Sequence, residues 1–132
     1  MNSAILVSDR DNKALRELLN PRHSVPNADR ADCLKLLSEL DRATVVPVSE
    51  LPPDVVCLGA KVDLESLTDG LSMTFTLVMP YEADPGEGLL SVLAPLGTGL
   101  LGYRVGDEIE WPVPSGRIRV RICSVEPPAD PE

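Results

Sequence analysis

The first third of the chain carries apolar residues at the three- and four-residue spacing of α-helices. In residues 8–20 the apolar stripe consists of Ala14, Leu15, Leu18 and Leu19. Ser8 or Asp9 can cap this helix, and Pro21 ends it. A second helix is predicted over about residues 28–43, and the short polar turn between the two indicates an antiparallel helical hairpin, a short coiled coil.

After residue 46 the apolar positions change from helical spacing to the alternation of β-strands. Residues 47–54 carry three prolines and are predicted to be a linker. The predicted strands are residues 55–67, 71–79, 89–93, 105–111 and 117–125. Antiparallel strands with helices elsewhere predict an α+β fold. Residues 1–46 are expected to form a helical domain, and residues 47–132 an antiparallel β-sheet domain with one short helix and an acidic tail.

The charge of the chain narrows the possible partners. The 132 residues carry a formal net charge of −9. An acidic chain repels phosphate backbones, which argues against direct nucleic-acid binding and favours a basic surface on another protein. Cys33, Cys57 and Cys123 have no metal-ligand spacing, so neither a metal site nor a disulfide framework is expected. No signal peptide or membrane-spanning stretch is recognisable, so we expect a cytoplasmic protein.

Residues 94–109 contain Gly97-x-Gly99-x-x-Gly102, the spacing of a dinucleotide-binding loop. Such a loop needs a long following helix and an acidic residue about twenty positions further on, and this chain has neither. The stretch instead predicts a short helix that starts at Pro95 and ends at Gly102. Its small residues suit either a docking surface for a partner helix, beside exposed leucines, or close packing against the protein's own sheet.

Six segments between residues 39 and 111 form a joint pattern. They are ELDRA (Glu39–Ala43), LPPDVV (Leu51–Val56), LTDG (Leu67–Gly70), TLVMP (Thr76–Pro80), LSVLAPLGTGLLGYRVGD (Leu90–Asp107) and IEW (Ile109–Trp111). In this order they resemble the family called regulator of nucleoside diphosphate kinase, over about residues 36–126. The last third also resembles the C-terminal domain of the Gre transcript-cleavage factors, with their Ala-Pro helix start, Gly-Asp turn and final hairpin.

This resemblance implies a helical hairpin followed by a domain similar to the FK506-binding prolyl isomerases (FKBP-like). It also implies binding to bacterial RNA polymerase near its secondary channel, where the C-terminal domain grips a coiled coil at the rim. The contact would involve Ala94, Pro95, Leu96 and Leu100. The family name implies neither kinase activity nor nucleotide binding, and no cofactor is expected.

The tip of the predicted hairpin holds His23, Asp29 and Asp32. In Gre factors, two acidic residues at this tip help to hold a catalytic magnesium ion in the polymerase active site. Here Asp29 and Asp32 lie one helical turn apart, and we favour a role in helix capping. A first helix of about 12 residues extends about 18 Å, too short to bring them to the active site. From this short reach we expect a factor that occupies the channel rim and competes with Gre factors without stimulating cleavage.

No enzymatic activity is expected from these residues. His23 is the only histidine, and no serine or cysteine near it in sequence suggests a nucleophilic site. The alternative function is that of an FKBP-like protein-interaction module for another cytoplasmic partner. A prolyl isomerase ranks third, because isomerase pockets of that fold are lined by aromatic residues. The domain offers only Phe75, Tyr81, Tyr103 and Trp111.

Arg117, Arg119 and Arg121 alternate along the last predicted strand and therefore share one face of it. They can pair with Glu108 and Glu110 on the neighbouring strand, which is the interpretation we favour. The other interpretation is a contact with an acidic surface of a partner.

Overall fold

A computed structural model describes residues 5–20, 30–113 and 116–128 and shows a mixed α+β fold. The helices are α1 (Asp9–Leu18), α2 (Arg30–Arg42) and α3 (Pro95–Leu100). The strands are β1 (Leu6–Ser8), β2 (Thr44–Val46), β3 (Lys61–Ser66), β4 (Ser72–Val78), β5 (Leu89–Ser91), β6 (Glu108–Val113) and β7 (Gly116–Glu126). Short 3-10 turns occur at Val48–Glu50, Pro80–Glu82 and Pro85–Glu87.

Helix α1 begins where the sequence predicts it. The hydroxyl oxygen of Ser8 accepts a hydrogen bond from the backbone N–H of Asp11 at 3.0 Å, so Ser8 is the N-cap. Asp9 and Asp11 lie in the first turn, where the helix dipole favours negative charge. Leu15 is fully buried and anchors the apolar side of α1 in the core.

The main sheet has five strands in the order β5-β4-β3-β7-β6. Three of its four pairings are antiparallel, as predicted, but β5 runs parallel to β4. The expectation of a wholly antiparallel sheet is therefore wrong. The segment between these strands carries two 3-10 turns that return the chain along β4, and side-chain alternation carries no information on strand direction.

A second, two-stranded sheet joins β1 and β2 in parallel. The sequence does not predict this sheet, because three residues in each strand are too few to establish an alternating pattern. The backbone N–H of Leu6 also donates to the carbonyl of Gly102 at 3.3 Å. The start of the chain is thereby attached to the region just after α3.

One apolar core runs through the described residues. Its N-terminal members are Ile5, Val7, Leu15, Leu36 and Leu40. Its members from the second part are Val56, Val62, Leu64, Leu77, Val92, Leu93, Leu96, Leu100, Leu101, Val120 and Ile122. The helical and β-sheet parts share this core across the linker, and the domain division at residue 46 stays a prediction.

Helices α1 and α2 meet near their C-terminal ends, where Arg16 forms an ion pair with Asp41 at 2.9 Å. Residues 21–29, which contain the predicted turn, lie outside the described residues. The antiparallel hairpin and the FKBP-like character of the sheet domain remain predictions. Across the ranges covered by the structure, no helix is long and apolar enough to cross a membrane.

Candidate functional site

Helix α3 is positioned by the chain that leaves β5. The backbone N–H of Val92 donates to the carbonyl of Val78 at 2.8 Å, which extends the β4–β5 pairing. The chain then turns, since Leu93 N–H donates to Ser91 Oγ at 3.0 Å and Ala94 N–H donates to the Ser91 carbonyl at 3.0 Å. Ala94 is the N-cap, and the predicted Pro95 start of the helix is confirmed.

The predicted contact residues do not share one environment. Leu96 and Leu100 are only 7% and 1% exposed and belong to the core. The expectation of exposed leucines is therefore wrong, because both side chains are needed to hold a six-residue helix against the sheet. Ala94 is half-buried, and Pro95 occupies the first helical position. Of these side chains Ala94 retains exposed surface, whereas the two leucines lie on the core side of α3.

The glycines of α3 allow close packing, which was one of the two roles that the sequence left open. A Cβ atom on Gly97 would lie 2.1 Å from the carbonyl oxygen of Ser91, so no side chain fits there. Gly102 follows the helix with φ +86, and a Cβ on it would lie 2.5 Å from the Cβ of Ile5. These glycines let the helix approach the backbone of the β5 end and the N-terminal segment.

Several backbone N–H groups of this stretch donate to carbonyl groups of the protein itself. Those of Thr98, Leu101 and Gly102 donate to the carbonyls of Ala94, Gly97 and Val56 at 2.9, 3.2 and 2.9 Å. A phosphate-binding loop must present its free N–H groups to the ligand. Packing at Gly97 and Gly102 accounts for the glycine spacing, and the absence of a nucleotide site stays a prediction.

Tyr103 lies between α3 and the C-terminal end of α2. Its ring is half-buried, and burial raises the pKa of its hydroxyl, with a further rise from the negative charge of Glu39. Glu39 itself pairs with Arg42 at 2.6 Å. The surface beside α3 thus carries the uncharged hydroxyl of Tyr103 and the ion pair between Glu39 and Arg42.

The arginine stripe of β7 is paired, as favoured by the sequence analysis. Arg117 and Arg119 contact Glu110 at 3.1 and 3.8 Å. Arg121 contacts Glu108 at 3.2 Å. Because these cations already face carboxylates on β6, the arginine stripe gives little support to the other interpretation, a contact with an acidic surface of a partner.

The described residues offer little for enzymatic chemistry. No group of three or more His, Cys, Asp or Glu among them could hold a metal ion. His23 and Asp29 lie outside the described residues, and for Asp32 only the position in the first turn of α2 is known. Tyr81 is 75% exposed, whereas Phe75 and Tyr103 pack against the core. An isomerase pocket would require aromatic rings that lie together, and these three described rings lie in different environments.

Comparison with known proteins agrees with the sequence pattern. A family profile described as transcription elongation factor, GreA/GreB, C-term, matches residues 51–127, which include α3 and the five-stranded sheet. The chain is 40% identical over 114 residues to the regulator of nucleoside diphosphate kinase of Escherichia coli strain K12, covering 85% of this chain and 80% of that protein. It is 42% identical over 81 residues to the transcription elongation factor GreA of Desulfovibrio desulfuricans. That second match covers 61% of this chain and 50% of that protein, about half its length.

Two solved structures are also similar. The prokaryotic transcription elongation factor GreA/GreB from Nitrosomonas europaea has a TM-score of 0.77 and 38% sequence identity, over 96% of this chain and 100% of that chain. GreA factor homolog 1 (Gfh1) of Thermus thermophilus has a TM-score of 0.52 at 21% identity, over 95% of this chain and 100% of that chain. The second likeness concerns the fold alone.

Proposed function

Because the chain belongs to the transcription elongation factor family GreA/GreB, C-term, we propose that it is a non-enzymatic regulator that binds bacterial RNA polymerase near the rim of the secondary channel. The observation that carries the proposal is the similarity to the Nitrosomonas europaea elongation factor, which extends over 96% of this chain at 38% identity. The 40% identity to a regulator of nucleoside diphosphate kinase supports the same group of proteins.

We place the polymerase contact at the N-terminal end of α3, on Ala94 and Pro95. Leu96 and Leu100 act there as buried supports that fix the helix on the sheet. The backbone of Ala94 is held at both ends, since its N–H donates to Ser91 and its carbonyl accepts from Thr98. A rigid, weakly polar helix end is suited to the rim coiled coil, because little conformational entropy is lost on docking.

The short helices favour a factor that occupies the rim without stimulating cleavage. Helix α1 has 10 residues and α2 has 13. At about 1.5 Å per residue they extend about 15 and 20 Å, and α1 is shorter than the sequence predicts. Asp32 lies within α2. We therefore propose that the tip residues His23, Asp29 and Asp32 do not take part in magnesium chemistry.

Replacing Ala94 by arginine should weaken the binding of the fluorescently labelled chain to core RNA polymerase at least about tenfold. The added side chain would occupy the contact at a half-buried position outside the core. The free energy of unfolding should change by less than about 1 kcal/mol. Binding is measured by anisotropy and unfolding by urea titration.

Leu71→Arg is the matched control. Leu71 is 64% exposed and precedes β4, whereas the chain enters α3 beside the other end of that strand. This variant should bind polymerase like the parent chain. If Ala94→Arg and Leu71→Arg lost polymerase binding equally, the loss would not be specific to Ala94, and the proposed contact at the N-terminal end of α3 would be contradicted. No binding of the parent chain at micromolar concentration would favour an interaction module for another partner.

Competition with a Gre factor tests whether the chain occupies the channel rim without stimulating cleavage. The parent chain should displace a labelled Gre factor from polymerase and should slow Gre-stimulated cleavage in a stalled elongation complex. By itself it should not raise the cleavage rate above that of polymerase alone. Cleavage stimulated by the chain and lost on Asp29→Asn or Asp32→Asn would show that the carboxylates do reach the active site.

A further inference from the structure

A cleft of about 180 Å³ lies where α1, the linker and the end of β7 meet, away from α3. Its aliphatic walls are Val48, Leu51, Pro52, Pro53, Val55, Pro127 and Pro128. Its polar lining consists of Ser8, Arg10, Asp11 and Cys57. The cleft therefore combines a mainly apolar wall with two adjacent, oppositely charged side chains.

The carboxylate of Asp11 is nearly buried but only half satisfied. Its exposed fraction is 6%, and Oδ2 accepts a hydrogen bond from the backbone N–H of Leu58 at 3.0 Å. The described residues give Oδ1 no hydrogen bond, and none of their fully buried side-chain oxygens lacks a partner. Oδ1 must therefore keep some access to solvent, and the cleft lined by Asp11 supplies it.

The Asp11 carboxylate and the Cys57 thiol respond differently to this environment. Burial raises the pKa of Asp11, while the hydrogen bond from Leu58 and the charge of Arg10 lower it. Burial, and to a smaller extent the negative charge of Asp11, together raise the pKa of Cys57 to about 11. The thiol is therefore neutral at pH 7, and Asp11 is the acidic group in this cleft.

Arg10 is the basic group of the cleft, and it is half-buried. It is close enough to influence the pKa of both Asp11 and Cys57. Among the described residues it forms no ion pair, not even with Asp11. A carboxyl group and a guanidinium group thus line one mainly apolar cleft without an ion pair between them.

We propose that this cleft binds a free α-amino acid with an apolar side chain. The ammonium group of the ligand donates to the open oxygen of Asp11, and its carboxylate accepts from the guanidinium of Arg10. The aliphatic side chain lies against the proline and valine walls. A zwitterion satisfies both charges at once, whereas a simple amine would leave Arg10 beside another cation and a simple acid would face Asp11.

The volume of the cleft suits a ligand of this size. Drug-sized ligands occupy pockets of about 300–1,000 Å³, whereas an apolar cavity of about 150 Å³ holds a molecule such as benzene. A cleft of about 180 Å³ therefore suits a single small ligand of the size of leucine or valine. This site is separate from the proposed polymerase contact and does not depend on it.

The test is a titration of the full ¹⁵N-labelled chain with L-leucine at pH 7, followed through the backbone amide signals. Saturable shifts are expected at Asp11, Cys57 and Leu58. 3-Methylbutylamine, which lacks the carboxylate, and 4-methylpentanoate, which lacks the amine, should each bind at least about tenfold more weakly. Arg10→Gln and Asp11→Asn should weaken leucine binding by a similar factor. Asparagine keeps an acceptor for the Leu58 N–H.

Arg16→Gln is the control, since Arg16 lies on the same helix, pairs with Asp41 and does not line the cleft. It should leave the leucine affinity unchanged. The proposal is overturned if leucine gives no saturable shifts, or if the amine or the acid binds as tightly as leucine. Should Asp11→Asn unfold, Arg10→Gln and the three ligands still decide the question.

Discussion

Replacing Gly97 by alanine is expected to destabilise the protein by at least about 2 kcal/mol, although alanine is the better helix former. The new Cβ would lie 2.1 Å from the carbonyl oxygen of Ser91 and 3.1 Å from the Cα of Val92. Both obstacles are backbone atoms, so no side chain can rotate away. Either α3 or the end of β5 must shift. For a clash with backbone the cost should lie at or above the upper end of the usual overpacking range, about 3 kcal/mol, which exceeds the gain of about 1 kcal/mol in helix propensity.

Gly99→Ala is the matched control in the same helix. Its Cβ would lie 3.6 Å from the Cγ2 of Ile109, which is ordinary van der Waals contact. This variant should therefore be neutral or up to about 1 kcal/mol more stable than the parent chain. Urea unfolding measures both changes. Equal stability of the two variants would mean that Gly97 is not packed against Ser91 as described.

Replacing Leu100 by alanine is expected to cost about 2–5 kcal/mol of unfolding free energy, the usual range for a buried leucine. Leu100 is 1% exposed and packs in the core at the end of α3. Removal of its side chain leaves a cavity that a helix held between the sheet and the N-terminal segment cannot readily close. Thermal and urea unfolding measure this loss.

Leu34→Ala provides the comparison, because Leu34 is 53% exposed on α2. Its stability should change by no more than about 0.5 kcal/mol. Measuring both stability and polymerase binding in these two variants also distinguishes a role of Leu100 in core packing from a role in partner contact. A Leu100→Ala protein that keeps its stability but loses polymerase binding would restore Leu100 as a direct contact residue.

Some features of the candidate site at α3 could be predicted from the sequence, and others could not. The helix at Pro95 and the glycine after it could be predicted, because proline and glycine act on the local backbone. The burial of Leu96 and Leu100 could not, since a helix of six residues is too short to show which side faces the core. The close approach of Gly97 to Ser91 depends on how β5 leads into α3.

Among the charged residues, too, some contacts could be predicted from the sequence and others could not. Pairing of the β7 arginines with Glu108 and Glu110 followed from strand alternation, since residues two apart share a face. The cleft around Arg10 and Asp11 had no comparable signal. Asp11 looks in the sequence like an ordinary residue of a first helical turn. Its carboxylate accepts from Leu58 and lines a cleft with the linker and the end of β7, and all three are distant in sequence.

The sequence by itself determined the α+β class, the capping of α1 by Ser8, most of the strands and the family. These features depend on local spacing and local backbone preference, or on a residue pattern long enough to be specific. Tertiary structure alone decided that β5 is parallel to β4, that β1 pairs with β2, and that the α3 leucines lie inside. These outcomes depend on which distant segments meet, and no spacing within a single segment encodes that.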